Sequence, residues 1–255
     1  MKNQNLDIVI PVYNEGENIL DLFRAFEKEV QTPFRVFVCY DFDEDNTLSV
    51  LKNETFDFEI VPVKNRGKGV QSAIMSGLDM TNAPAVLVLG ADEANNASMI
   101  DGMYAKLKEG NDIIVASRLA KGGEMSGGPR LKSLVVRLGS FILHRLAGVP
   151  ATDATYAWRM FSRRVLDMIQ IESTEGFTYA IELLVKCHRL KWPVAEVPAR
   201  WIMRKSGQSR FNLKKWFPHY AKWFFYALAT SYLRKSPGTV QLKPGRSADR
   251  IMPIG

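Results

Sequence analysis

The sequence predicts an α/β fold: a mostly parallel, doubly wound central sheet with helices on both faces. Three observations carry that prediction. Short β-branched runs alternate with amphipathic stretches through the first half of the chain, the rhythm of βαβ units. The run Ala85-Val86-Leu87-Val88-Leu89-Gly90 is continuously apolar, as a strand covered on both faces must be. The chain has 255 residues, 46% apolar and 24% charged, which suits one full-sized globular domain and excludes a disordered or collagenous class.

Taken in order, Leu6-Asp7-Ile8-Val9-Ile10-Pro11-Val12 reads as the first strand, closed by Tyr13-Asn14-Glu15-Gly16. Residues 17–30 place Ile19, Leu20, Leu22, Phe23 and Phe26 at helical spacing. Phe34–Tyr40 is a second strand, followed by the acidic loop Asp41-Phe42-Asp43-Glu44-Asp45-Asn46. Phe58–Val63 is a third strand, Gly67–Met80 a helix, Ala85–Gly90 a fourth strand and Asp112–Ser117 a fifth. The second half is less regular. Lys121–Arg130 is a glycine-rich loop and Leu131–Leu146 a helix; Ala154–Phe161 is expected to pair with Val194–Trp201; Thr178–Leu190 and Asn212–Leu233 are helices, the last dense in aromatics. The final twenty residues, with Pro237, Pro244 and Pro253, read as a loose tail.

The net charge of +7 is unevenly placed. Residues 200–255 carry 12 Lys and Arg against one acid, Asp249; the residues before them carry 22 against 26. A mildly acidic body with a basic end suggests an anionic partner at that end. Cys39 and Cys187 lie far apart, so neither a zinc site nor a disulfide framework is expected, and a reducing cytosol fits. No signal peptide or spanning helix is apparent. The expectation is a cytoplasmic protein, with a possible station at the inner face of the cytoplasmic membrane.

In an open α/β sheet, ligands bind beyond the carboxyl ends of the strands. There the sequence places Tyr13, Asn14 and Glu15; then Asp41, Asp43, Glu44 and Asp45; then Asp92, Glu93, Asn95 and Asn96; then Ser117 and Arg118. Acids gathered at one edge repel one another unless a cation or donors sit among them. Hard oxygen ligands of this kind suit Mg2+ or Mn2+ on a diphosphate. The other reading is that they are ordinary polar loop residues. No P-loop, no G-x-G-x-x-G after the first strand and no G-x-S-x-G elbow is present. His144, His188 and His219 fall in helix patterns and read as structural.

The opening Pro11-Val12-Tyr13-Asn14-Glu15 resembles the P-x-Y-N-E start of the family 2 inverting glycosyltransferases of GT-A fold. Later segments, in order, resemble its dolichyl- and polyprenyl-phosphate mannosyl- and glucosyltransferase branch. They are Asn65-Arg66-Gly67-Lys68-Gly69, Ala91-Asp92-Glu93, Ala116-Ser117-Arg118 with Gly122-Gly123, Asp153–Arg159, Glu175-Gly176-Phe177 with Glu182, and Glu196-Val197-Pro198 leading to Arg204–Phe211. The resemblance covers about residues 6–225. It implies a Rossmann-like, mostly parallel sheet and a GDP- or UDP-hexose donor. Pro11, Tyr13, Glu15 and Asp41 would form the nucleoside pocket, Asp92 with Glu93 would hold Mg2+ or Mn2+, and Arg118, Arg204 and Arg210 would hold phosphates. Two departures stand out: Tyr40-Asp41-Phe42-Asp43 replaces D-D-G-S, and Gly90 replaces the first acid of D-x-D.

The expected organisation is a GT-A catalytic domain over 1–211, an amphipathic aromatic helix over 212–235, suited either to a membrane interface or to packing on the sheet with its Lys on the wet face, and a flexible basic tail over 236–255. The acceptor implied is a polyprenyl phosphate, which is already ionised. A glycan hydroxyl would need a base, for which Asp153 and Glu175 are the acids at hand; Asp153 can equally be a turn or cap residue. A non-catalytic nucleotide-sugar-binding homologue is the remaining alternative, favoured by Gly90. A nucleic-acid partner is not expected, because the aromatics sit on a helix pattern.

Overall fold

The computed structural model describes residues 4–126, 130–202 and 213–246. In chain order come β1 (Leu6–Pro11), α1 (Gly16–Glu29), β2 (Phe34–Tyr40), α2 (Asn46–Lys52), β3 (Glu59–Lys64), α3 (Gly69–Leu78) and β4 (Ala85–Val88). A 3-10 turn, Ala94–Met99, leads into α4 (Ile100–Lys108) and β5 (Ile113–Ser117). Then follow β6 (Glu124–Ser126), α5 (Arg130–Phe141) ending in a π turn (Ile142–Leu146), β7 (Arg159–Ser162) and α6 (Arg163–Met168). The chain continues through α7 (Thr178–Leu190), β8 (Val194–Pro198), β9 (Arg200–Ile202) and α8 (Leu213–Tyr232).

The main sheet runs β3-β2-β1-β4-β7-β5-β8. Its pairings are parallel except those of β7, which lies antiparallel between β4 and β5. The chain leaves β1 towards β2 and β3, then crosses back to β4 on the other side. That reversal opens a crevice beyond the carboxyl ends of β1 and β4. Because β7 runs the other way, the segment that precedes it, residues 151–158, arrives at this same edge.

The sheet is covered on both faces. Ile19, Leu22, Phe23 and Phe26 of α1 are fully buried against one side with α4, as their 3.6-residue spacing requires. On the other side α3, α7 and α8 pack over Val9, Val86, Val115 and Phe161.

Several sequence expectations change. Arg159–Ser162 pairs with β4 and β5 rather than with Val194–Trp201. The latter run divides: β8 pairs with β5, and β9 pairs with β6 in a separate two-stranded ribbon. Met160 and Phe161 have no exposed surface, so their strand takes a central place where both edges are bonded. α2 falls in a segment with no helix prediction; it forms because the Asp45 carboxylate accepts from Thr47 N–H at 2.9 Å and caps it. Part of the segment read as a loose tail docks on the body: Val240 is buried and Leu242 bridges to Ile169. Gly127, Gly128, Pro129, Arg204 and Arg210 lie outside the described residues.

α3 approaches the sheet closely. A Cβ on Gly77 would lie 2.5 Å from Cys39 Sγ and 2.6 Å from Val9 Cγ1. Gly77→Ala is therefore expected to cost about 1–3 kcal/mol through overpacking, lowering the melting midpoint at roughly 2–4 °C per kcal/mol. Calorimetry checks this; an unchanged midpoint would contradict the close contact.

Candidate active site

The loops after β1 and β2 are stitched into one wall. Asn14 adopts φ 55°, which turns its N–H towards Asp45 Oδ2 at 3.0 Å. Glu15 N–H donates to Thr47 Oγ1 at 2.9 Å and Gly16 N–H to Asn46 Oδ1 at 2.9 Å. Three successive backbone donors at the start of α1 are thus satisfied by the first residues of α2 and its cap. The Tyr13 ring stands at the mouth of this wall, edge-on to Phe42 at 5.1 Å and 44% exposed. Pro11, Tyr13, Glu15 and Asp41 thus lie in or after the adjacent strands β1 and β2, at one edge of the sheet.

Asp41 is fixed by the segment Asn65–Gly69, which the sequence reading quoted for the resemblance without giving Asn65 a role. Asn65 Nδ2 donates to Asp41 Oδ1 at 2.6 Å, and Gly69 N–H, opening α3, donates to Asp41 Oδ2 at 3.1 Å. The Asn65 carbonyl oxygen accepts from Gly67 N–H at 3.0 Å and Ser72 Oγ at 2.7 Å. A Cβ at Gly67 would lie 2.4 Å from Ser72 Oγ, so glycine is needed where the turn closes on itself. A carboxylate has about four lone-pair sites; two remain on Asp41 for a ligand.

Across the crevice, Asp92 and Glu93 follow β4. A Cβ at Gly90 would lie 3.0 Å from Asp92 Oδ1, so Asp92 already takes up the space an acid at position 90 would enter. Glu93 is a different kind of acid. Burial pushes its carboxyl up to about 7, against the pull of the Tyr156 hydroxyl, and neighbouring Asp92 adds to the rise. Tyr156 OH donates to Glu93 Oε2 at 2.5 Å, and Asn96 Nδ2 donates to the same oxygen at 3.1 Å. A carboxyl raised in this way gives up its proton less readily, which weakens it as a resident metal ligand. Among the described residues no group of three or more His, Cys, Asp or Glu side chains is clustered to hold a metal. Mg2+ commonly binds through one or two carboxylates with substrate phosphates completing the shell. Asp92 fits that mode, with Glu93 as its neighbour.

Arg118, after β5, is held by the segment that β7 brings to the edge. Its Nε and Nη2 donate to Asp153 Oδ2 and Oδ1 at 2.7 and 3.0 Å, and its own N–H reaches Oδ2 at 3.1 Å. Nη2 also reaches Thr155 Oγ1 at 3.0 Å, and the guanidinium lies 4.5 Å over the Tyr156 ring. Nη1 is left for a ligand oxygen. Burial works against charge on Asp153, yet the Arg118 guanidinium outweighs it and holds the carboxyl below its ordinary value. Asp153 is fully buried and committed to Arg118, so it acts as a positioning residue. A Cβ at Gly123 would lie 2.5 Å from the Ser117 carbonyl oxygen; the glycine pair after β5 lets the chain fold tightly back beside Arg118.

Glu175 precedes α7 and Glu182 lies within it. The Glu175 carbonyl accepts from Thr178 at the start of α7. Glu182 is buried against Lys186 at 2.7 Å and accepts from the N–H groups of Glu172 and Ser173.

A mostly parallel sheet with an acidic switch-point crevice and one antiparallel strand defines an α/β class, and comparison with known proteins bears on it directly. Glucosyl-3-phosphoglycerate synthase from Mycobacterium tuberculosis, solved with Mn2+, UDP and glucosyl-3-phosphoglycerate, superposes with a TM-score of 0.63 at 16% identity over 89% of this chain and 80% of that one. The same enzyme with Mg2+ and UDP gives 0.63 over 89% and 79% at 16% identity. The fold is GT-A. The model of glycosyl transferase family 2 matches residues 7–169, and the chain belongs to that family. A dolichol-phosphate mannosyltransferase of Pyrococcus furiosus is 24% identical over 220 residues, covering 84% of this chain and 61% of its own. An undecaprenyl-phosphate 4-deoxy-4-formamido-L-arabinose transferase of Yersinia enterocolitica is 24% identical over 220 residues, covering 84% and 64%. The chain thus spans less than two thirds of the length of these relatives.

The Asp153 shift gives a pH prediction. Its folded value lies below its unfolded one, so the pair's stabilisation is present above the ordinary carboxylate range and lost as pH falls through it. Native protein should lose urea resistance below about pH 4. Asp153→Asn should be less stable by about 3–5 kcal/mol at neutral pH, with Arg118 left buried and unpaired, and should show a shallower acid limb. Parallel acid limbs would contradict the pairing.

Proposed function

We propose that the protein transfers a hexose from a nucleoside-diphosphate sugar, with inversion, to a polyprenyl phosphate. The observation that carries this reading is the convergence of Tyr13, Asp41, Asp92 and Arg118 on one switch-point crevice in a family 2 chain. The names of the Pyrococcus and Yersinia relatives support the lipid-phosphate acceptor, and the ligands of the Mycobacterium enzyme support a nucleotide donor with a divalent ion.

In this reading Tyr13 stacks on the base and Asp41 accepts from it. Asp92, with Glu93 beside it, holds Mg2+ or Mn2+, which when bound neutralises the charge that develops on the leaving diphosphate. Arg118 Nη1 meets a phosphate oxygen, its fork pre-set by Asp153, so no reorganisation is needed as charge moves. Arg204 and Arg210 are assigned further phosphate contacts. The acceptor phosphate oxygen forms the new bond to the anomeric carbon from the face opposite the leaving nucleoside diphosphate, and needs no base. GDP and UDP are both donors to test.

The second reading, transfer to a glycan hydroxyl, is favoured by Glu93. A carboxyl near 7 is suited to take a proton in the transition state. Organic-solvent extraction of labelled product separates the two, since only a polyprenyl-linked sugar enters the organic phase.

Membrane contact is part of the first reading, and α5 offers an apolar element for it beside the aromatic helix singled out by sequence. On α8, Trp223 is 1% exposed and packs on α7; Phe225 faces outward. On α5 and its π turn, Leu131, Leu134, Val135, Leu138, Phe141 and Leu146 are all exposed. An apolar stripe of this kind, in a chain whose last quarter is strongly basic in sequence, suits a monotopic station on anionic lipid. No helix among the described residues is long and apolar enough to cross a membrane.

Two outcomes are expected. Asp92→Ala should abolish transfer, at least a hundredfold loss of turnover, while the melting midpoint stays near native; native-like turnover would overturn the metal assignment. Leu134→Ser with Leu138→Ser should lower flotation with anionic vesicles severalfold and leave donor binding unchanged; undiminished flotation would remove α5 from the interface.

A further inference from the structure

Along α5 and its π turn, with Leu119 and Thr152 beside the Arg118–Asp153 pair, lies an open cavity of about 260 Å3 lined by these two and by Arg137, Ser140, Phe141, His144 and Arg145. The residues from α5 recur at three- and four-residue steps, so they form one stripe. This stripe meets the apolar one at Phe141, which belongs to both.

Its chemistry is cationic and hydrogen-bond donating. Among the described residues, Arg137 and Arg145 have no carboxylate partner. Ser140 is 1% exposed, and its Oγ is buried without a hydrogen-bond partner. A buried hydroxyl left unpaired costs roughly 1–3 kcal/mol, a cost that a ligand oxygen would remove. His144 Nδ1 lies 2.9 Å from the Val149 carbonyl oxygen; a carbonyl only accepts, so Nδ1 carries the proton, and Nε2 of the neutral ring accepts from a protonated phosphate oxygen. The acid touching this wall, Glu196, is occupied by Thr152, accepting from its N–H at 2.8 Å and its Oγ1 at 2.9 Å. The size also decides something. About 260 Å3 is below the roughly 300–1,000 Å3 of sites that enclose a drug-sized molecule, so it suits a single charged headgroup.

We propose that this cavity is a second anion site that binds one phosphate group, separate from the donor crevice. Arg137 and Arg145 grip the phosphate oxygens, as guanidinium forks do, and Ser140 Oγ donates from the floor. The phosphate is either that of a glycerolipid headgroup, whose acyl chains would run along the neighbouring Leu134 and Leu138, or a free phosphate ion. The inference does not depend on the acceptor assigned above.

The test is isothermal titration of the full chain with two probes: inorganic phosphate, and dihexanoyl phosphatidic acid below its micelle concentration. At least one should bind. R137Q/R145Q should weaken that binding tenfold or more, and Ser140→Val, which keeps the charge, should weaken it severalfold. Nucleotide-sugar affinity should stay unchanged in all variants. Equal binding of both probes assigns free phosphate; binding of phosphatidic acid alone assigns the lipid headgroup. The proposal is overturned if neither probe binds, if R137Q/R145Q binds like the native chain, or if donor affinity falls in step with phosphate affinity, which would merge the cavity with the donor crevice.

Discussion

The buried pair of Arg118 and Asp153 is the interaction on which the site depends. It joins the loop after β5 to the segment before β7, 35 residues later in the chain. Asp153 is fully buried and meets the guanidinium in a two-point fork. Such a pair adds little net stability compared with an apolar replacement, but removing one partner alone is costly. Its contribution is positional. It fixes the guanidinium over the Tyr156 ring, and Tyr156 in turn holds Glu93 across the crevice. Acidic and basic sides of the site are thereby linked through one phenol.

That linkage exists because one strand runs backwards. In a wholly parallel sheet the segment before each strand lies at the opposite edge from the ligand crevice. With β7 antiparallel between β4 and β5, Asp153, Thr155 and Tyr156 come to the carboxyl edge instead. The other wall is built by a different device, the capping of α2 by Asp45, which also receives the Asn14 N–H. Both walls are rigid by backbone hydrogen bonding, so the crevice is pre-organised before any ligand arrives, and binding energy is not spent on ordering loops.

Much of this was legible in local pattern. The apolar run at 85–88 announces a central strand, and the stripe of Ile19, Leu22, Phe23 and Phe26 announces a buried helix face, because burial on a sheet follows directly from period. Residues at strand ends are equally local, which is why Tyr13, Asp41, Asp92 and Arg118 could be named in advance. What was not legible depends on pairing between distant segments. Nothing near Arg159–Ser162 says that its neighbours are β4 and β5. Asp153 reads as a turn residue until Arg118 is beside it. The stripe of Leu131, Leu134 and Leu138 reads as core until the sheet faces are seen to be already covered by other helices. Conversely, Trp223 reads as an interface aromatic until Lys186 and Ser173 are found against it. Asn65 could have been given a turn role, since an Asn before two spaced glycines is a turn signal, but not its grip on Asp41.

The central claim is that this crevice binds a nucleotide sugar through a divalent ion held by Asp92. The most direct measurement is a thermal-shift titration of the purified chain with GDP-, UDP- and dTDP-sugars, each with and without Mn2+ or Mg2+. A ligand that binds only the folded state raises the melting midpoint. The account predicts a saturable, metal-dependent rise with one donor class, lost in Asp92→Ala. No rise with any donor, or a rise indifferent to metal and to Asp92, would contradict it.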